Sequence, residues 1–101
     1  MMHRARINWR APNERGRAEL PPTLRYVALS RFPQDGPAWP DGAWSIEVLF
    51  DVPPPEQADQ SISLGKVRFL VDEAPQKRLK KDAWFELYEG LQPVADVEVT
   101  D

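Results

Sequence analysis

The chain has 101 residues, 42% of them hydrophobic and 29% charged, a net charge of −3 and no cysteine. That is enough chain for one modest hydrophobic core, in a composition typical of folded globular domains rather than disordered segments. It excludes disulfides, thiolate metal sites and a cysteine nucleophile, and no apolar run approaches the roughly 20 residues of a membrane-spanning helix. The opening "MMHRARINWR" is basic but has no apolar stretch behind it, so no signal peptide is expected, and a cytoplasmic location fits the absence of cysteine.

Charge is unevenly distributed along the chain. Residues 1–31 carry seven arginines against two glutamates, a local +5, and residues 32–101 carry −8. This division permits a basic surface for a polyanion and an acidic one for a cationic partner. It is equally compatible with solvated outer faces of strands.

In chain order, the first predicted strand covers about residues 3–11. Ala5, Ile7 and Trp9 share one face, and Arg4, Arg6, Asn8 and Arg10 share the other. A loop carrying Arg15 and Arg17 leads to a second strand, about 23–31, which begins near Arg25. The segment "FPQDGPAWPDG" follows as a long loop, with Trp39 between Pro37 and Pro40. In the third strand, about 43–52, Trp44, Ile46, Val48, Phe50 and Val52 oppose Ser45, Glu47, Leu49 and Asp51. The fourth strand, about 61–71, has Ile62 and Leu64 in one phase and Val67, Phe69 and Val71 in the other, so a bulge is expected at Gly65-Lys66. "QKRLKKD" is expected to make no more than a short helical turn, too short to be stable alone. Two last strands, about 83–89 and 93–100, place Phe85 and Leu87, then Ala95, Val97 and Val99, on an inner face. Trp44 and Trp84 are expected to fill the barrel ends.

All eleven prolines fall at strand ends or between strands, where the missing N–H costs no ladder bond. Six short strands without intervening helices predict an all-β fold, a single small six-stranded antiparallel β-barrel spanning residues 1–101.

Segment order and two stretches resemble the C-terminal β-barrel domain of elongation factor Tu and related translation factors. "NERGRAELPPTLR" is similar to that family's Glu-Gly-Gly-Arg segment and the strand after it, with Gly16 and Arg17 on the Gly-Arg and Leu24-Arg25 where Tyr-Arg stands. In "AWFELYEGLQPVADVEV", Phe85, Leu87, Glu89, Gly90, Val94 and Val99 fall on positions of the family's last hairpin. Tyr26 replaces a proline, Val97 stands at a usual glycine, and the Trp39 loop has no counterpart. The resemblance implies an accessory barrel that contacts tRNA and proteins while another domain hydrolyses GTP. Gly65-Lys66 lacks the first glycine of a phosphate-binding loop, so no nucleotide or other cofactor is expected here.

Catalysis finds little footing. His3 is the one histidine and lies near the N-terminus, where fraying is usual; no serine has a base, and no ligand spacing for a metal is present. Glu86 with Glu89, and Asp96 with Glu98, fall on the outer face of the last hairpin rather than in a cleft. The expected function is therefore a non-catalytic binding or adaptor module acting on a protein partner, an inhibitor or immunity protein among the roles that fit. The alternative is an RNA- or translation-associated factor contacting tRNA or the ribosome through its arginine-rich first strand and loop. The candidate binding residues are Arg4, Arg6, Arg15, Arg17, Arg25 and Trp39, and Trp39 reads either as an interface anchor or as a lid over an open barrel end. Lys77, Arg78, Lys80 and Lys81 form a solvated turn or a contact for an acidic surface.

Overall fold

The structure, a computed structural model, describes residues 1–11 and 19–101. Period-two alternation becomes six strands: β1 (His3–Trp9), β2 (Arg25–Arg31), β3 (Ser45–Phe50), β4 (Ile62–Phe69), β5 (Trp84–Glu89) and β6 (Gln92–Val99). All neighbours are antiparallel, and the ring closes in the order β1-β4-β3-β2-β5-β6. Pairing of β1 with both β4 and β6 removes the free edges of an open sheet. The described residues hold no α-helix; single 3-10 turns occur at Pro54–Glu56 and, within the segment expected to turn, at Gln76–Arg78.

Inward side chains fill the barrel in layers. Ile7, Ile46, Val48, Val67, Phe85, Leu87, Val94, Val97 and Val99 are essentially sealed from solvent. One end is closed by Trp9, Tyr26 and Phe50, whose ring centroids lie 5.8 to 6.4 Å apart. Phe32, Phe69 and Phe85 close the other, with Phe32 stacked on Phe85 at 4.5 Å. Aromatic rings suit these ends because they cover a wide opening with little rotamer entropy and gain further from edge and offset contacts.

The expected bulge in β4 does not form. Alternation runs straight through, with Ser63, Gly65, Val67 and Phe69 inside and Leu64 and Lys66 outside. The Trp9 indole occupies the interior beside β4 and donates its Nε1–H to Ser63 Oγ at 2.7 Å, so the inner positions there take small residues. Gly65 is needed for a close approach: a Cβ would lie 2.4 Å from the Leu49 carbonyl oxygen and 2.9 Å from Phe50 Cα. The register shift instead falls between β5 and β6, where Leu87 faces Ala95 but Tyr88 faces Pro93, leaving Val94 as the extra residue. Pro93 has no N–H to give the ladder, which makes its neighbourhood a natural place for the break. In the β5–β6 turn, Gly90 at φ +61° supplies the positive dihedral of a two-residue hairpin loop.

The proline-rich loop after β3 is pinned by one side chain. Gln57 donates to the Val52 and Leu64 carbonyls, both at 3.1 Å, and accepts from the Leu64 N–H at 2.8 Å. It occupies a ladder position that Pro53, Pro54 and Pro55 leave without donors.

Candidate binding surfaces

Outward positions of the strands carry the charge, and cross-strand neighbours pair it. Arg4 reaches Asp51 with two parallel bonds of 2.8 Å. Arg6 bonds Glu98, and Arg10 bridges Glu86 at 2.8 Å and Asp96 at 3.0 Å. His3 begins β1 opposite Val67 and lies 3.7 Å from Asp101, so the terminus is built into the sheet rather than frayed. The +5 and −8 halves of the sequence are thus interleaved around the barrel. Strand order sets β1 beside β6, and a row of arginines beside a row of carboxylates. The Asp51 carboxyl is held below its ordinary pKa, first by the hydrogen bond from Arg4.

Arg25 is placed differently. It shares Glu47 with Arg68: the Nε–H of Arg25 donates to one carboxylate oxygen and that of Arg68 to the other, the latter at 2.6 Å. Glu47 is only 4% exposed although it points outward, because the two arginine side chains lie over it. Those hydrogen bonds, that from Arg25 first, hold its pKa below the ordinary carboxylate range. Of the remaining candidates, Arg15 and Arg17 lie outside the described residues.

Trp39 is neither a free anchor nor a lid over a barrel end. It lies on the barrel's flank, half-buried, its Nε1–H donating to the Ser30 carbonyl at 2.8 Å. Its ring meets Tyr88 at 4.5 Å, and the Arg31 guanidinium sits 5.0 Å from the ring centroid. Trp44 packs against the core as expected. Trp84 does not: it is 55% exposed. Phe85 takes the interior against Phe32, so the strand's alternation turns Trp84 outward, opposite Glu98 and in phase with Glu86 and Tyr88.

The outer wall of β5 and its neighbours β2 and β6 therefore gathers Trp84, Arg31 and Arg10, with Trp39 lying over the buried Tyr88, and is rimmed by Glu86, Asp96 and Glu98. In the basic turn, Arg78 is committed to structure, bonding Asp35 at 3.0 Å and lying over Phe32, while Lys77, Lys80 and Lys81 are exposed. Among the described residues no three histidine, aspartate or glutamate side chains converge as a metal site would require. No helix is long and apolar enough to cross a membrane.

Comparison with known proteins finds no matching family model, no matching curated protein and no matching solved structure.

Proposed function

We propose that this barrel is a non-catalytic binding module that docks a protein partner on the outer wall of β2, β5 and β6. Trp84 is the anchor, and Trp39 and Arg31 are its flank, with buried Tyr88 as the floor under Trp39. The observation that carries the reading is the exposed Trp84 on a wall that also shows Trp39 and Arg31, tryptophan and arginine being the residue types that dominate interface energetics. Trp39 and Tyr88 are already packed together, so little side-chain entropy is left to lose on docking. The carboxylates at the rim are already paired with Arg6 and Arg10, so an aromatic contact carries the docking, which suits an inhibitor or immunity role. The resemblance to translation-factor barrels supports an accessory, contact-making role as well.

The RNA reading draws less support. Arg4 and Arg6 already hold carboxylates, which a phosphate would have to displace. Glu86 and Asp96 share the Arg10 guanidinium on an open wall, an arrangement that serves structure better than general acid–base work.

Affinity capture from the native cell with the wild-type chain and Trp84→Ala in parallel tests the proposal. A protein retained by the first and lost by the second, with affinity reduced about 30-fold or more, is the expected result. RNA as the sole co-purifying species, released by salt and lost with Arg6→Gln, refutes it.

A further inference from the structure

On the wall centred on β3, opposite β6 in the ring, a second arrangement leaves hydrogen-bond donors unused. Glu47 engages Arg25 and Arg68 only through their Nε–H groups. The terminal nitrogens of both guanidinium groups make no hydrogen bond within the described residues, and the two side chains remain 57% and 51% exposed. Lys66 completes the group: Arg25 faces Leu49 on β3, Leu49 faces Lys66 on β4, and Glu47 faces Arg68. Two guanidinium groups thus hold one buried carboxylate, and Lys66, two residues before Arg68 on the same outer face of β4, adds a third cation between Glu47 and Asp51. Asp51, the other acid on this wall, is taken up by both terminal nitrogens of Arg4.

We infer that Arg25 and Arg68, held by Glu47, together with the neighbouring Lys66, form a binding site for a phosphorylated side chain of a protein partner. The net local charge of three cations and one carboxylate complements a phosphate monoester, which carries about −1.5 to −2 at neutral pH. Glu47 fixes the planes of two guanidinium groups before any ligand arrives, and planar forks match phosphate oxygens in a way lysine ammonium groups cannot. Beside the cations stand Leu49 and Leu64, exposed and apolar, which suit the residues flanking a modified side chain. Nucleic acid is the poorer fit. The rings near this wall, Trp9, Tyr26 and Phe50, point inward, and no exposed aromatic stands among its described residues to stack a base. This site is independent of the Trp84 surface, on the other side of the barrel.

The test follows the Nε–Hε resonances of Arg25 and Arg68 in isotope-labelled protein. Probes are inorganic phosphate, a short phosphoserine peptide with a leucine beside the phosphoserine, its unmodified form, acetate and an oligouridylate, all at matched ionic strength. Both resonances are expected to move together and to saturate with phosphate and the phosphopeptide, but not with acetate or the unmodified peptide. Arg68→Lys keeps the charge and loses the fork, and phosphate binding should weaken about tenfold. Arg25→Lys, whose side chain is also more than half exposed, provides a second variant if the first perturbs the amide spectrum away from this wall. Trp84→Ala should leave phosphate affinity unchanged, so this site and the proposed docking wall stand or fall separately. The inference is overturned if no saturable shift occurs up to about 50 mM phosphate, far weaker than a useful subsite. It is equally overturned if acetate binds as well as phosphate, or if the oligouridylate binds more tightly than the phosphopeptide.

Discussion

Replacing Gly65 by alanine asks whether the barrel depends on strands β3 and β4 meeting without a side chain between them. The added Cβ would sit 2.4 Å from the Leu49 oxygen and 2.9 Å from Phe50 Cα, both backbone atoms with no rotamer to yield. Carbon–oxygen contacts between strands begin near about 3.3 Å, so β3 has to retreat by about 0.9 Å. That is enough to spoil the ladder bonds that flank the non-bonded Phe50–Gly65 pair, at Leu49–Lys66 and at the Asp51 N–H to Leu64 carbonyl, the latter now 3.0 Å. Two such bonds at about 1 kcal/mol each, with an overpacking cost of about 1–3 kcal/mol, predict a loss of about 3–5 kcal/mol. A domain of this size has about 5–15 kcal/mol in hand, so a large share of its stability should go. Urea unfolding followed by tryptophan fluorescence measures it, and the midpoint should fall by about 2 M or more at ordinary slopes for small proteins. Gly36→Ala is the control, because nothing lies within 4 Å of its Cβ position and its φ is not positive. A loss below about 1 kcal/mol for Gly65→Ala refutes the close-approach account and indicates that β3 relaxes freely.

Other outcomes follow from single contacts. Ser63→Ala leaves the buried Trp9 indole N–H without its acceptor and should cost about 1–3 kcal/mol in the same assay; no measurable loss means that the bond contributes nothing net. Gln57→Ala removes the amide that ties the proline loop to Leu64, with an expected loss of about 1–2 kcal/mol and faster hydrogen exchange at the Leu64 amide. Glu47 has a folded pKa below its unfolded value. Its contribution is therefore fully present above the unfolded pKa and disappears as pH falls through the folded one. Glu47→Gln should accordingly lower stability by about 2 kcal/mol at neutral pH, a figure already reduced for the half-exposed arginines, and by little in strong acid. Identical losses at pH 7 and pH 2 would show that shape rather than charge is responsible.

Much of this architecture was legible in the sequence. Strands need only a two-residue period and punctuation, and both are local: proline excluded from six alternating runs placed every strand within a few residues of its final bounds. Alternation also contained the answer for Trp84, since Phe85 inside requires its neighbour outside; a preference for burying tryptophan obscured it. The phase of β4 was not legible. Ser63 and Gly65 look like outer-face residues until the Trp9 ring and the β3 backbone arrive from distant parts of the chain to fill the space beside them.

The chain's own order of residues determined an all-β barrel and the inner faces of β1, β3, β5 and β6, because these depend on periodicity and on the sizes of side chains a few residues apart. Only the tertiary structure decided how charge is spent. Ring order sets β1 between β4 and β6, which converts an arginine-rich beginning and an acid-rich end into neighbouring pairs. The same order leaves Trp84 on one wall and the guanidinium pair over Glu47 on another. Electrostatic partnership depends on distance through space, and closing a barrel brings together residues that no spacing along the chain could have matched.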